Sequence, residues 1–281
     1  ANASCPRSPT GNIAQAIATT GRKRPCGSGS AAGYRSEPVV NVLLLEADEL
    51  AAAGTCVLTG RRADHLRTIL RVEVGSTVRA GVLNGALGTA TVQSMEPEAI
   101  TVLVSLEDQP KPLADVLLLA TPRPKVLMRM LGHAAAMGFA RIVLFRSWRV
   151  DKSWMQSRAF EPTVQKEQLM LGLEQAGRTQ LPEVLRYDLF KPMVEDHLKA
   201  LDLPQLRYVA HPAAATPTHQ LEVPNTPLCL AIGPDGGFLP YEVDKLREFG
   251  CEPISCGPHS LRTETALATL WGQLDLLRQR R

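Results

Sequence analysis

From Asp115 to the C-terminus, short apolar runs alternate with amphipathic stretches, and that rhythm leaves few architectures open. "DVLLLAT", "ARIVLF", "RYVAHP", "LCLAIGP" and "CEPISCGP" each hold a run of strand length. Helical patterns separate most of them: residues 124–138, residues 161–176, "LPYEVDKLREFG" and residues 264–279. In the last, Leu267, Leu270, Trp271, Leu274 and Leu277 recur at helical spacing as one apolar stripe. Strands joined by crossover helices run the same way, so the pattern predicts an α/β sheet with helices on both faces. Ligands of such sheets bind at the carboxyl ends of the strands. Three Gly/Pro-marked loops leave strands at that edge: "HPAA" after Val209, "GPDGG" after Ile232 and "CGPHSLRTETA" after Ser255. The rhythm thus predicts one pocket built by three loops.

The loops differ in what they can hold. Glycines in "GPDGG" let backbone N–H groups face a ligand, and they equally suit a tight strand-to-helix turn. Pro240 fits the first turn of the next helix, Glu242 and Asp244 fit the positive end of its dipole, and Gly250 terminates it. The G-x-x-x-x-G-K-[ST] pattern of a phosphate loop is absent, and Asp235 would repel a phosphate. An uncharged or cationic ligand fits better. In "GPHSLRTETALATL", Thr263 reads as an N-cap, and Glu264 falls early in the helix, where negative charge is favoured. Capping accounts for both. It does not account for Arg262, a cation beside a helix N-terminus, and a ligand would.

The front of the chain has another texture. The first 36 residues are Ala/Ser/Gly/Arg/Pro-rich and hold no acid, which matches a transit-type extension over 1–38 as well as cloning or gene-model residue. Its "GSGSAAG" has no strand before it and no apolar helix after it, so it reads as low-complexity linker. Over 39–110, "VVNVLLLEADEL", "GTCVLTG", "STVRAGVLNGALGTATVQSM" and "AITVLVSLED" give short strands, with Asn-Gly as a hairpin turn. "RRADHLRTILRVEVG" is the one helical segment, with Leu66, Ile69 and Leu70 on one side, and the set suggests a small barrel. "DQPKPLAD" then reads as a linker before a second domain over 113–281. Six cysteines without C-x-x-C pairs read as buried or free thiols, and no histidine has metal-ligand spacing, so no metal is assigned. No apolar stretch has the length of a membrane helix.

"IGPDGGFLPYEV" followed by "SCGPHSLRTETA" closely resembles the signature of the RsmE-type family, small-subunit rRNA uridine-N3 methyltransferases of the SPOUT superfamily. "DHLRTILRVEVGS", "LEQAGRTQLPEV" and "WRVDKSWMQS" are similar to further family segments, in the family's order, over roughly residues 40–277. The resemblance implies a PUA-like β-barrel preceding a SPOUT-type α/β domain threaded into a trefoil knot, S-adenosylmethionine as cofactor, and a homodimer. Part of the last helix's stripe would then be dimer interface, and monomer core is an equal reading. On this chain the cofactor loops fall on Ala210, His211 and Pro212; on Ile232, Gly233, Pro234, Asp235, Gly236 and Gly237; and on Ser255, Gly257, Leu261, Arg262, Thr263 and Thr265. Three departures stand out: Asp235 for the family's Glu, His259-Ser260 for its Arg-Ile, and "GHAAAMG" (Gly132 to Gly138) for its "QKATELG".

The implied reaction methylates N3 of a uridine in small-subunit rRNA, a poor nucleophile while protonated. A cation near O2 or O4 would stabilise the uridinate, and Arg262 is the first candidate; Glu264 is the nearest carboxylate that could act as base. Net charge offers no global hint of nucleic acid: residues 1–38 carry five basic residues against Glu37, +4 of the overall +3, leaving −1. Local clusters do. Arg61, Arg62, His65, Arg67 and Arg71 form one; Arg146, Arg149 and Lys152, interleaved with Trp148 and Trp154, form another; Arg178 joins from "EQAGR". Each is also compatible with a solvated face or a core aromatic. Competing expectations are a catalytically silent SPOUT RNA-binding or ribosome-assembly protein, motivated by "GHAAAMG", and a SPOUT enzyme for another RNA position. The expected location is cytoplasmic for a bacterial protein, or plastid or mitochondrion if 1–38 is a transit peptide.

Overall fold

The computed structural model describes residues 41–51, 53–108 and 114–280. All of them fall in one compact unit, Pro38–Arg281. The expectations for the extension over 1–38 and for the centre of the linker lie outside the described residues.

The first sheet holds β1 (Leu43–Leu45), β2 (Thr55–Thr59), β3 (Thr77–Val82), β4 (Leu87–Met95) and β5 (Ala99–Asp108) in the order β1-β3-β4-β5-β2. Only the β1–β3 pair is parallel. Alternation sends Cys56 and Leu58, Ala90 and Val92, and Ile100 and Val102 into one core. Among the described residues the hydrogen-bonded ladder ends at β1 and β2. Helix α1 (Gly60–Asp64) runs on through His65–Ile69 with the wider π-type bonding. That winding sets Ile69 off the Leu66 face: Leu66 is buried, whereas Ile69 is 67% exposed, against the expected stripe.

The Asn-Gly turn does more than reverse the chain. Asn84, at φ 57°, donates its N–H to the Thr179 carbonyl at 2.8 Å and accepts from Leu181 N–H at 2.9 Å. Thr179 Oγ1 donates to the Gly85 carbonyl at 2.9 Å. The hairpin tip is thereby clamped to the segment that follows helix α3 (Pro162–Ala176). Arg61 reinforces this junction with a two-pronged contact to Glu174, and Lys166 reaches Glu46 at 2.7 Å.

Glu49 receives the Arg62 guanidinium, which holds its carboxyl below the ordinary carboxylate range. A lowered folded-state pKa stabilises above the unfolded value and is lost as pH falls through the folded one. Glu49→Gln is therefore expected to be less stable than the parent at pH 7. The two should converge only as pH falls through that lowered folded value, and urea midpoints across pH would check this.

The second sheet is wholly parallel: β6 (Val116–Ala120), β7 (Arg141–Phe145), β8 (Glu183–Tyr187), β9 (Leu206–Ala210), β10 (Thr216–Pro217), β11 (Leu228–Ile232) and β12 (Glu252–Ser255), in the order β10-β12-β9-β11-β6-β7-β8. With α3, helices α2 (Pro124–Met137) and α6 (Thr263–Gln279) cover one face; α4 (Phe190–Pro192, continuing π-wound through Met193–His197) and α5 (Pro240–Glu248) cover the other. Alternate residues of β6 divide accordingly: Leu117 and Leu119 join Leu127, Leu173 and Leu270, while Val116 and Leu118 join Phe190, Met193 and Leu246. The expected α/β sheet is present. On α6, Leu267, Leu270 and Leu274 are monomer core, and Trp271 and Leu277 are half-buried against it. Among the described residues no helix is long and apolar enough to cross a membrane. Cys56, Cys229 and Cys251 are buried free thiols, and burial pushes Cys251 up to about 12.

Candidate functional site

Parallel strands deliver their carboxyl ends to one edge, and β9, β11 and β12 are neighbours there. Their following loops enclose a cleft of about 310 Å³. Its apolar lining comes from Ile232, Ile254, Ala266 and Leu270, and its polar rim from Arg149, Asp235 and His259. Backbone bonds set the first two loops: Gly237 N–H reaches the Pro234 carbonyl at 2.8 Å, and His211 N–H the Ile254 carbonyl at 2.9 Å.

The second and third loops are latched together. The Thr263 hydroxyl lies 3.1 Å from Asp235 Oδ1 and 3.3 Å from the Gly233 carbonyl, and it donates to this pair of acceptors. On its other side Asp235 faces Arg123 Nε at 3.6 Å. The N-cap of α6 is therefore Arg262, not the expected Thr263, whose hydroxyl is drawn across the cleft. Arg149 closes a further side: its guanidinium donates to the Gly236 carbonyl. Its Cδ lies 3.1 Å from where a Cβ on Gly236 would stand, so a side chain there would push the arginine away.

Twelve of the fifteen residues assigned to cofactor loops line this cleft: Ala210, His211, Pro212, Ile232, Gly233, Pro234, Asp235, Gly236, Gly237, Ser255, Leu261 and Thr263. Gly257, Arg262 and Thr265 lie outside its lining. Arg262 is exposed at the start of α6, and Glu264 is paired with Arg129 Nη2 of α2 at 3.2 Å.

The basic residues assigned to RNA are not brought into one patch. Arg61, Arg62 and His65 line a groove of about 460 Å³ beside α3, where Arg61 and Arg62 are held by Glu174 and Glu49. Arg67 donates to the Glu96 carbonyl at 2.7 Å, Arg71 is exposed in the left-handed region at φ 50°, and Lys152 is exposed. Arg178 is half-buried against Gly138, and burial lowers its pKa while Asp275 and Asp115 oppose the shift. Arg149 belongs to the cleft. Its sequence context gave a basic–aromatic signal, but nothing there tied it to "GPDGG". Arg123 carried no periodic or motif signal at all.

The family model described as "RNA methyltransferase domain" matches residues 109–274, more than half of the chain. The chain belongs to that family. Within this RNA methyltransferase family, it is similar to the Ribosomal RNA small subunit methyltransferase E of Treponema pallidum, 27% identical over 233 residues, 81% of this chain and 87% of that protein. The Bacillus subtilis protein of the same description is 23% identical over 251 residues, 83% of this chain and 96% of its own length. Among solved structures, a Neisseria gonorrhoeae Ribosomal RNA small subunit methyltransferase E bound to S-adenosyl methionine superposes with a TM-score of 0.64 at 20% identity, covering 84% of this chain and 96% of that one. A Legionella pneumophila methyltransferase in complex with SAM gives 0.65 at 23%, covering 84% and 97%. At these identities the two structures show a shared fold.

Proposed function

We propose that the chain transfers a methyl group from S-adenosylmethionine to N3 of a uridine in small-subunit ribosomal RNA. The observation that carries the reading is the cleft at the ends of β9, β11 and β12, latched by Thr263 across Asp235 and Gly233. The residues fit the cofactor chemically. Ile232, Ile254 and Leu270 offer an apolar wall for an adenine, and loop amides and carbonyls can read its edge. Asp235 and the loop carbonyls suit a sulfonium or ribose hydroxyls, and no phosphate needs accommodation. When bound, the cofactor supplies an already activated methyl group. What the chain must add is position and help with the N3 proton. Arg262, exposed beside the rim, suits stabilisation of the uridinate oxygens. A proton taken by Glu264 would weaken its pairing with Arg129, so Glu264 suits an orienting acceptor better than a base.

The same reading takes the first sheet with α1, residues 39–110, as a PUA-like barrel that grips RNA, and residues 113–281 as a SPOUT domain with trefoil threading. In support of the threading, β12 lies outside β9, yet the chain then returns to pack α6 on β11 and α2. In support of a homodimer, Leu276 of α6 is exposed.

Small-subunit rRNA lacking the mark, incubated with the protein and methyl-labelled cofactor, should yield N3-methyluridine at one position on mass-spectrometric mapping. Label on another atom or another base would overturn the assignment. Asp235→Ala should weaken cofactor binding at least about tenfold by calorimetry, since it removes the carboxylate and one of the two acceptors of the Thr263 latch. Arg262→Ala should instead lower kcat by roughly 10²-fold with cofactor affinity nearly unchanged.

A further inference from the structure

A further concavity lies beyond the end of β7, apart from the loops of β9 and β12. Trp148, Leu189, Pro192 and Tyr241 line a groove of about 390 Å³, with Arg146 and Lys191 among its walls. Single exposed apolar side chains are ordinary on a protein surface. Here Trp148 is 80% exposed, Leu189 52% and Tyr241 47%, and the three share one groove.

The floor beneath them is rigid. Glu242 is 1% exposed, and its carboxylate accepts from Trp148 N–H at 2.9 Å, Ser147 Oγ at 3.1 Å and Leu239 N–H at 2.9 Å. That one buried group ties the segment after β7 to the first turn of α5, which carries Tyr241. Both aromatic residues therefore project from backbone fixed by the same carboxylate, as pre-organised recognition requires.

The charges narrow the occupant. Arg146 spends only its Nε, on the Asp188 carbonyl at 3.0 Å, and has no ion pair among the described residues. Lys191 has Glu195 at 3.9 Å, and the Asp188 carboxylate is taken by Arg186. An apolar peptide would use the aromatic wall and leave both cations idle. An unstacked base with its phosphates uses the π-faces and the cations together. The groove also adjoins the cleft. Arg149 directly follows Trp148, and its side chain reaches the Gly236 carbonyl on the cleft rim.

We propose that Trp148 and Tyr241 form a stacking seat for an unstacked RNA base that neighbours the methylated nucleotide, with Arg146 and Lys191 on the adjoining phosphates. The assignment rests on the rRNA methyltransferase reading above.

Tryptophan emission during titration with a small-subunit rRNA fragment, with oligouridylate and with free uridine monophosphate tests it. Emission should be quenched by both RNAs in the wild type and not in Trp148→Phe. Quenching by the mononucleotide at equal concentration would locate a free-nucleotide site there and overturn the RNA seat. Trp148→Ala and Tyr241→Ala should each raise the Kd for the rRNA fragment about tenfold, with cofactor affinity by calorimetry unchanged. Trp148→Phe should recover part of the loss. Unchanged RNA affinity in both alanine variants, while the wild type still methylates rRNA, would overturn the seat and leave the enzymatic reading intact. A dimer that falls to monomer in Trp148→Ala would assign the groove to a second copy instead. A wild type that neither binds nor methylates rRNA would remove both proposals.

Discussion

Replacing Gly172 by alanine is expected to destabilise the protein by about 2 kcal/mol, although alanine is the better helix former. Gly172 lies inside α3, where alanine gains about 1 kcal/mol of helix propensity. Against this, a Cβ there would stand 2.0 Å from the Gly132 carbonyl oxygen, 2.7 Å from its carbon and 2.8 Å from its Cα. All three atoms are backbone of α2, so no rotamer change relieves the overlap and the helices must part. Overpacking of this kind costs up to about 3 kcal/mol or more, which exceeds the gain. The thermal midpoint should fall by roughly 4–8 °C. Gly272, inside α6 with no atom within 4 Å of its missing Cβ, is the control. Gly272→Ala should raise stability by up to about 1 kcal/mol. Equal stability of Gly172→Ala and wild type would show that the two helices are not locked at this crossing.

The same contact gives a reason for the departure that motivated a silent protein. Gly132 opens "GHAAAMG" where the related pattern has glutamine, and a Cβ on Gly132 would lie 3.2 Å from the Gln168 carbonyl. Any side chain there would need the backbone of α3 to give way by a few tenths of an ångström. Nothing in the structure explains the neighbouring His133, which is exposed.

What could be read in advance followed the strength of the local signal. The buried strands of the second sheet are continuous apolar runs; β6 is buried along its whole length, and such runs are hard to mistake. Strand β8 was missed because "EVLRY" lies at the sheet edge with no fully buried residue, so its sequence carries little apolar pattern. Helix α4 has three α-helical residues before its winding changes, too few for periodicity to register. The cleft loops were legible because Gly and Pro mark them and parallel strands must bring them to one edge. The latch was not. Thr263 has the chemistry of an N-cap, and only tertiary structure decides that its hydroxyl meets Asp235 instead. Likewise Arg61 and Arg62 look like a phosphate-binding cluster until Glu174 and Glu49, distant in sequence, take their guanidinium groups.

Asp115→Ala is expected to be strongly destabilising, at about 3–5 kcal/mol. Asp115 stands just before β6, where Oδ1 accepts from Leu228 N–H at 3.0 Å, and Arg278 Nη1 reaches its two oxygens at 2.8 and 2.9 Å. Both charged side chains are nearly buried, at 11% and 12% exposure. Alanine would leave the Leu228 amide without its partner and Arg278 with Asp275 alone, at 2.9 Å. Asp115→Asn keeps an acceptor for the amide and loses only the charge, so it should cost roughly half as much. Urea unfolding measures both. The damage should also be local in a way a general loss of packing would not be. Arg278 lies in the last turn of α6 and Thr263 in its first, so the end that holds the cleft keeps its own latch. Amides of the last turn of α6 should exchange much faster in Asp115→Ala, while cofactor affinity should fall less than about threefold. A large loss of cofactor affinity at unchanged exchange would mean that Asp115 acts on the cleft by a route other than the helix it anchors.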